Sequence, residues 1–341
     1  MSVADGGAPL VGRAPTIRDV ALRAGVSPQT VSRVVNNQPM VHSATRLAVL
    51  TAVGELRYRP NLAARSLVTR HSRSIGVVLP QSGHFSHSTA LLSIDLAAQQ
   101  AGYAVIIRHI STDAPALTKG QINMLFDLGV EGLVVVSPTE EIIEAVTDVS
   151  SSIPVTYLDP GLDPSSSAPS WQEQGSRIAV EHLVALGHSR IARVPRPLQS
   201  VDVAAGVRGF IAAMTAVELE PGLTEPGDGS PNSWFNIGFD VATQPDFTAV
   251  IVDGDHMAMG FIHALTEAGH RVPEDVSVVG FGNSPEAEHM RPALTTISCD
   301  LRSSGRDAVN RLLCPGEASK PTGTPVRLVV RQSTSTVALM R

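Results

Sequence analysis

Residues 16–36 read TIRDVALRAGVSPQTVSRVVN, and this stretch predicts two short helices joined by a tight turn. Thr16 is expected to cap the first helix, because a threonine oxygen can accept a backbone N–H that the first helical turn leaves unpaired. Gly25 permits the turn, since glycine tolerates a positive φ. Ser27 is expected to cap the second helix, with Pro28 at its first position, where a missing N–H costs nothing. Two helices joined in this way are typical of a helix-turn-helix.

A third helix is predicted from about Ser43 to Arg57, where apolar residues recur at helical spacing. The apolar stripe expected to close a small core with the first two helices consists of Leu47, Leu50, Val53 and Leu56.

The same region resembles a known family. The stretches TIRDVA at 16–21, AGVS at 24–27, TVSRVVN at 30–36 and YRPNLAARSL at 58–67 resemble the LacI/GalR family of bacterial repressors. The resemblance implies a DNA-binding head and a two-lobed body similar to periplasmic sugar-binding proteins. It also implies a homodimer on a palindromic operator, because two heads on one symmetric dimer meet two half-sites.

The exposed face of the second helix predicts which residues read DNA. Arginine can bridge O6 and N7 of guanine, and glutamine can bridge N6 and N7 of adenine, so Arg33 and Gln29 are the expected base-reading residues. The base-reading positions of the family match Pro28, Gln29 and Arg33, and Pro28 departs from the family because it offers a base edge no hydrogen bond. As an alternative, Arg33 contacts only phosphate. The further predicted DNA contacts are Thr16, Ser27, Thr30, Ser32 and Asn36.

Residues 61–73 are predicted to form a hinge helix and a linker. The candidate helix, Asn61 to Val68, has about eight residues, and isolated helices below roughly 12–15 residues are marginal in water. It is therefore expected to fold only when two copies meet on DNA. The resemblance implies insertion into the minor groove with Leu67 as the wedge, and with Asn61 and Ala64 as further contacts. As an alternative, Leu67 is an ordinary linker residue.

Charge is distributed unevenly along the 341 residues. Residues 1–73 contain ten arginines and three acidic residues, whereas the remaining 268 residues carry a net charge of −13. A basic head on an acidic body is typical of a phosphate-binding module joined to a sensor domain. Because no apolar run is long enough for a membrane helix and no signal peptide precedes the head, we expect a cytoplasmic protein. The two cysteines, Cys299 and Cys314, are too few for a disulfide framework or a zinc site, and no metal or cofactor is expected.

From residue 74 onward, apolar strands alternate with amphipathic helices. A helix is predicted from about Ser88 to Gly102, and strands are predicted at 74–80, 105–107, 132–136, 155–158, 190–194, 249–252 and 276–280. Continuous apolar strands separated by helices indicate parallel sheets covered on both faces, with ligands beyond the carboxyl ends of the strands. Together with the resemblance, the pattern predicts a small all-α helix-turn-helix head and an α/β two-lobed body with parallel sheets, similar to periplasmic binding proteins.

The predicted domain limits follow from these changes in pattern. They are a disordered lead-in at 1–15, a helix-turn-helix domain at 16–60, the hinge and linker at 61–73, and an effector-binding and dimerisation domain at 74–341. Within that domain, lobe one is expected at about 74–158 and 297–321, and lobe two at about 159–293 and 324–339. Because no leucine heptads follow the match to the last strand of the family, a dimer is predicted and not a tetramer.

The predicted effector pocket departs from the family pattern. Sugar-binding members commonly carry an Asn-Asp pair after the strand at 250–252, an arginine three residues before Gly209-Phe210 and an aspartate after Phe281. In this chain these positions hold Gly254-Asp255, Gly206 and Gly282-Asn283, and Trp171-Gln172 replaces the customary Asp-Asn before Gly175. Sugar hydroxyls need several paired polar groups, so these losses argue against an ordinary hexose.

Five residues are nevertheless expected to contact an effector. Asp255 and Asn283 would supply polar contacts, and Phe85, Trp171 and Trp234 would form walls or stacking surfaces. For each aromatic residue, plain core packing is an equal alternative.

The sequence therefore predicts a sequence-specific DNA-binding regulator, in the first instance a repressor, that is controlled by a sugar or sugar-like metabolite bound between the lobes. Ligand binding would close the lobes, shift the dimer interface and separate the hinge segments; a corepressor that tightens DNA binding is the mirror alternative. A second alternative is a regulator whose body no longer senses a small molecule and serves dimerisation or a protein partner. An enzyme is not expected, because the sequence has no phosphate-binding loop and no nucleophile–base set, and because His84 and His87 alone are weak evidence for a metal.

Overall fold

The structure, a computed structural model, describes residues 15–36, 38–39, 41–59, 71–81, 85–111, 115–149, 152–196, 200–224, 226–227, 230–243, 247–314 and 326–337. The chain divides into two compact units, residues 1–72 and residues 73–341, called here the head and the body. The predicted hinge contacts Asn61, Ala64 and Leu67 lie outside the described residues, as do residues 1–14 of the predicted lead-in and the side chain of Phe85.

Three helices form the described part of the head: α1 (Ile17–Ala24), α2 (Pro28–Val35) and α3 (Ser43–Glu55). The predicted caps are confirmed, since the Asp19 N–H donates to Thr16 Oγ1 at 3.4 Å and the Thr30 N–H donates to Ser27 Oγ at 3.1 Å. Gly25 ends α1 in the left-handed region, at φ 66° and ψ 32°. A capped start, a proline in the first turn and a glycine stop therefore set the geometry of this helix pair.

The core of the head differs from the predicted one in its third helix. Its buried members are Val20, Ala21, Val31, Val34, Val49 and Ala52. The prediction that Leu47 and Leu50 belong to this core is wrong, because their side chains are 68% and 50% exposed. Because α3 turns Val49 and Ala52 toward α1 and α2, Leu47 and Leu50 lie on its solvent-facing side, whereas the predicted members Val53 and Leu56 pack against the core partly buried.

The body contains two mostly parallel sheets. The first has the strand order β2-β1-β3-β4 and is parallel throughout; the second has the order β10-β9-β8-β7-β5-β6, and among its described strands only β10 runs antiparallel. The strands are β1 (Ser74–Pro80), β2 (Ala104–Ile110), β3 (Leu133–Val135), β4 (Val155–Tyr157), β5 (Ile191–Val194), β6 (Gly222–Leu223), β7 (Ala249–Val252), β8 (Ser277–Phe281), β9 (Thr295–Ser298) and β10 (Arg327–Val329).

Eight described α-helices and three short 3₁₀ turns connect these strands. The helices are α4 (Phe85–Gln100), α5 (Thr118–Asp127), α6 (Glu140–Val149), α7 (Trp171–Ala185), α8 (Val201–Ala216), α9 (Pro231–Thr243), α10 (Asp255–Glu267) and α11 (Leu301–Leu313). The 3₁₀ turns are Pro115–Leu117, Pro160–Leu162 and Pro285–Glu288. Strands β1, β3, β5, β7 and β8 are almost entirely buried, as expected for parallel sheets covered by helices.

Both lobes of the body are completed by segments late in the chain. After β9, in the second sheet, α11 returns to pack on α4 beside the first sheet, where Ser93 Oγ donates to the Leu301 carbonyl at 2.9 Å. The predicted limit at residue 297 falls inside β9. The segment 326–337 then runs along the second sheet, where the Val278 N–H donates to the Ser333 carbonyl at 2.7 Å. Neither lobe is therefore a continuous stretch of chain.

Candidate functional site

The second helix of the head presents two long polar side chains to solvent. Gln29 and Arg33 lie one turn apart on α2 and are exposed, and neither side chain forms a hydrogen bond within the described head. Thr30 Oγ1, in contrast, lies 2.9 Å from Ser27 Oγ, and Asn36 Nδ2 donates to the Ser32 carbonyl at 2.9 Å. Among the described members of the predicted set, Gln29 and Arg33 are thus the two whose side-chain polar groups have no hydrogen-bond partner within the described head.

Two other predicted DNA contacts, Pro28 and Thr16, lie at the N-terminal ends of α2 and α1. Pro28 is exposed in the first turn of α2, and Thr16 is half-buried, with its hydroxyl donating to Asp19 Oδ2 at 2.7 Å. Thr16 thus caps the N-terminal end of α1 through its hydrogen bonds with Asp19, and Pro28 occupies the first turn of α2.

The body encloses a cavity of about 960 Å³ beyond the carboxyl ends of the strands. Its walls include Ser137 after β3, Asp159 after β4, Asp253 after β7 and Gly282 after β8. Residues that connect the two sheets, from Ser298 to Arg302, complete the lining. This is the position at which open parallel sheets bind ligands.

Three of the predicted effector contacts line this cavity, and the structure shows how their polar groups are used. Asp255 accepts hydrogen bonds from the Ser284 N–H at 2.6 Å and from Thr296 Oγ1 at 2.5 Å, and burial raises the pKa of its carboxyl group. Asn283 also lines the cavity, and its Oδ1 accepts from Arg331 Nη2 at 2.7 Å. Trp171 contributes a buried wall.

Trp234 lies elsewhere, which corrects the expectation that it forms a cavity wall. Its side chain is buried in the apolar core of the second lobe, in one cluster with Val194, Val252 and Phe261, and it is not among the described residues around the cavity. The α9 helix turns this indole toward the sheet because most of its large surface is apolar and is stabilised by burial.

The sequence reasoning missed two buried ion pairs beside the cavity. Arg196 Nη2 lies 2.9 Å from Asp202 Oδ2, and Arg193 Nη2 lies 2.5 Å from Asp253 Oδ1, with all four side chains almost fully buried. Burial alone would raise the pKa of Asp202, but the Arg196 guanidinium and the hydrogen bond from Ser200 hold it below its ordinary value. Burial would likewise lower the pKa of Arg196, but Asp202 and Asp253 raise it.

Gly206 explains how the Arg193 guanidinium is accommodated. A Cβ atom at Gly206 would overlap Arg193 Nη2, so the missing side chain provides the space that this guanidinium occupies. Arg193 Nη1 donates to Ser176 Oγ at 2.6 Å, and Ser176 Oγ in turn donates to the Gly206 carbonyl at 2.9 Å. The guanidinium of Arg193, from β5, thus occupies the space that a side chain at position 206 would need, and the sequence signal for it was an arginine inside an apolar strand.

Two further titratable groups face the cavity with strongly altered acidity. Burial raises the pKa of Asp159 to about 6, although its carboxylate accepts from the Trp171 N–H at 2.8 Å and the Gly161 N–H at 2.9 Å. Burial and the nearby Arg196 lower the pKa of His87 to about 4, so this imidazole is neutral at pH 7.

The described residues contain neither a membrane-spanning helix nor a metal-binding cluster. In the described ranges, no helix has the length and apolar character needed to cross a membrane. No group of three or more histidine, cysteine or acidic side chains there is arranged to hold a metal ion.

The sequence matches two family models and several curated relatives. Residues 16–61 match the model for bacterial regulatory proteins of the lacI family, and residues 180–334 match a periplasmic binding protein-like domain. The chain is 35% identical to the lactose operon repressor of Escherichia coli (strain K12), over 94% of this chain and 90% of the relative. The chain belongs to the lacI family of bacterial regulatory proteins. A second relative, the HTH-type transcriptional repressor PurR of Klebsiella pneumoniae (strain 342), is 34% identical over 93% of this chain and 96% of its own length.

A solved structure supports the same assignment for this lacI-family chain. The lac repressor dimer, crystallised with its operator and the anti-inducer ONPF, superposes with a TM-score of 0.85 at 33% identity, covering 95% of this chain and 100% of that one. The family resemblance and the fold class predicted from the sequence are therefore confirmed. The predicted DNA and effector contacts stay predictions for this chain.

Proposed function

We propose that this protein is a transcriptional repressor that binds a palindromic operator as a homodimer and responds to a small molecule bound in the cavity of its body. The observation that carries the proposal is the pair of exposed, unengaged side chains on α2, Gln29 and Arg33, in a capped helix-turn-helix. In that position they suit bidentate readout of adenine and guanine. The helix-turn-helix domain at 16–60 and the hinge and linker at 61–73 then form the DNA-binding part, and the cytoplasm is its place of action.

The body offers a surface for the second copy. Leu92 and Leu96 lie one turn apart on α4 and are 59% and 48% exposed, and Ile107 on the neighbouring strand β2 is 42% exposed. Exposed apolar groups of this kind are stabilised when a partner covers them. The related lac repressor was crystallised as a dimer, which supports a second copy of this chain as the partner.

The cavity supports regulation by a ligand and not a catalytic role. It lies where segments of both lobes meet, so a ligand that contacts both walls favours one arrangement of the lobes over another. The side chains around it form buried ion pairs and carboxylates already engaged by N–H and O–H donors. The related lactose operon and PurR proteins are repressors, and we propose no enzymatic activity for this chain.

The proposal is tested by selecting bound sequences from a random double-stranded DNA library with the full-length protein. We expect enrichment of a palindrome whose half-sites are separated by a fixed spacing, because a symmetric dimer presents two heads. The affinity of the enriched site is then measured by fluorescence anisotropy at two salt concentrations, since phosphate contacts make it fall with salt. Enrichment of single, non-repeated sites would contradict dimeric operator binding, and enrichment of no sequence would contradict the proposal as a whole.

A further inference from the structure

The cavity contains more buried negative charge than buried positive charge. Among the described residues that line it, four carboxylates are at least nine-tenths buried: Asp159, Asp202, Asp253 and Asp255. Arg196 is the one lining arginine buried to that degree, and Arg193 lies directly behind Asp253. Arg302 and Arg327 reach the lining only at its exposed rim, where solvent screens their charge. Two buried guanidiniums therefore face four buried carboxylates.

The four carboxylates differ in what they still offer a ligand. Asp159 and Asp255 each accept hydrogen bonds on both oxygens, as described above. Asp202 accepts from Arg196, Ser137 and Ser200. Asp253 Oδ1 is occupied by its ion pair with Arg193 Nη2, at 2.5 Å, whereas Oδ2 accepts no hydrogen bond from any described residue. Because Asp253 is 3% exposed and borders the cavity, a ligand in the cavity is the available donor for Oδ2.

Two more buried polar atoms at the same cavity lack partners in the described part of the chain. They are Nε of Arg196, a donor, and Oε1 of Gln172, an acceptor. Buried polar atoms without partners are costly, and native proteins generally pair them. A ligand that satisfies all three residues must present a hydrogen-bond acceptor to Arg196 and hydrogen-bond donors to Gln172 and Asp253.

We infer that the ligand of the cavity is a small polyhydroxylated molecule that carries a protonated amine, of the amino sugar or amino polyol class, and that Asp253 receives the amine. This inference rests on the regulatory role proposed above for the same cavity. The ammonium group supplies the missing positive charge and donates to Asp253, while hydroxyl groups serve Arg196 and Gln172. Arg193 acts as a positioning residue. Its hydrogen bond to Ser176 and its packing against Gly206 hold the guanidinium in place, and the guanidinium in turn holds the carboxylate of Asp253.

The raised pKa of Asp159 is consistent with this assignment. Burial is the main cause of this pKa of about 6, and Arg311 lowers it only as a minor influence. A bound ammonium group would stabilise the ionised form of Asp159.

The test compares matched compounds on the full-length protein by thermal shift and isothermal titration calorimetry. The pairs are D-glucosamine with D-glucose, D-galactosamine with D-galactose and D-glucamine with D-sorbitol, with N-acetyl-D-glucosamine and D-gluconate as uncharged and anionic references. We expect at least one amine to raise the melting temperature dose-dependently and to bind roughly tenfold to a hundredfold more tightly than its hydroxyl counterpart, as for a charge-assisted hydrogen bond. Neutral or anionic members that bind as tightly as the amines would overturn the inference, as would a panel in which no amine raises the melting temperature.

Variants identify the residue that receives the amine. Asp253→Asn should abolish the preference for the amine, whereas Asp240→Asn, an exposed acid on α9, should preserve it. Because Asp253→Asn leaves Arg193 buried without its partner, the double variant Arg193→Met/Asp253→Asn removes both charges and should show the same loss in a folded protein. An amine preference that survives in the folded double variant would overturn the role of Asp253.

Operator selection without ligand separates this inference from the proposed function. An enriched palindrome with no amine binding would overturn the ligand class and leave the repressor proposal standing. Amine binding without any enriched DNA sequence would overturn the repressor proposal and leave the ligand class standing.

Discussion

Arg193 is fully buried, and its charge is stabilised by groups from three different elements. Asp253 after β7 supplies the ion pair, Ser176 in α7 accepts a hydrogen bond, and Gly206 in α8 leaves the space for the guanidinium. At the scale of the residue, position 206 therefore requires glycine because Arg193, a side chain from another element, fills the space beside it. The same holds for the acidity of Asp159, which reflects its burial more than its own hydrogen bonds.

Gly206→Ala should destabilise the body by about 1–3 kcal/mol, because the added methyl group overlaps Arg193 Nη2 and the packed surroundings resist displacement. Urea unfolding of both proteins measures the difference. The control is Gly120→Ala in α5, where an added Cβ meets nothing within 4 Å and the helix should gain about 0.5–1 kcal/mol. Equal effects of the two substitutions would contradict the role assigned to Gly206.

Asp159→Asn should change how stability depends on pH. The pKa of Asp159 rises from 3.8 to about 6 on folding, so between these values the folded state holds a proton that the unfolded state has released. The contribution of this group to the free energy of unfolding therefore falls as the pH rises from about 4 to 6, by roughly 3 kcal/mol in total, and stays level above that window. Because asparagine does not titrate, the variant does not lose this stability. The free energy of unfolding of the variant minus that of the parent should therefore increase by about that amount between pH 4 and pH 7. Denaturant unfolding across this range measures the difference, and a difference that does not change with pH would contradict the assignment.

At the scale of the element, local rules determined most of what the sequence could predict. Thr16, Ser27 and Gly25 set the ends of the first two helices as expected, and continuous apolar runs placed β1 and β7 at their predicted limits. The strand β10, with the sequence RLV, is too short to show a strand pattern in the sequence. It is a strand because it pairs with β9. For α3, the apolar residues were identified but the face turned inward was not, since neighbouring helices decide it.

Part of the candidate site could also not be predicted from sequence patterns. Asp255, Asn283 and Trp171 line the cavity because each follows or begins an element at the carboxyl edge of a sheet, and their contact with an effector stays a prediction. The pair Arg193–Asp253 was missed because its members lie sixty residues apart and meet only when β5 and β7 pair. Long-range pairing of this kind is a property of the topology and leaves little trace in local sequence.

Arg33→Ala tests the recognition helix. If Arg33 bridges a guanine, the substitution should relax discrimination at one base pair of each half-site by about 1–3 kcal/mol. Competition anisotropy with single-base variants of the selected operator measures the change. Arg18→Ala, which removes an exposed guanidinium from α1, is the matched control and should leave the ranking of the variants unaltered. Equal weakening on every sequence by Arg33→Ala would mean that this residue contacts only phosphate.

At the scale of the whole molecule, the proposed function requires a second copy of the chain. Two heads of modest size, each with a short recognition helix, reach operator specificity only when a dimer holds them together. The exposed leucines of α4 are the described feature that best supports such a contact.

Leu96→Glu should weaken the dimer. Burying a leucine contributes about 1.5–3 kcal/mol, and a symmetric contact counts it twice, so a buried charge there should cost at least roughly 3 kcal/mol of dimerisation free energy. Sedimentation velocity over a range of protein concentrations measures the shift toward monomer. Leu128→Glu, at a residue 55% exposed after the end of α5, is the control and should leave the association unchanged. An intact dimer in the Leu96 variant would exclude this face of α4 from the interface.

Because segments late in the chain complete both lobes, the head is synthesised well before the body can finish folding. A ribosome releases the three helices of the head within the first sixty or so residues, whereas the first lobe waits for α11 and the second for residues 326–337. At about 5–20 residues per second, the head precedes a finished body by on the order of ten seconds to a minute. A stop codon anywhere in that interval would release a basic, folded head on a body that cannot close. Truncated products of this gene should therefore bind DNA only weakly and without sequence preference, and they should not respond to any ligand.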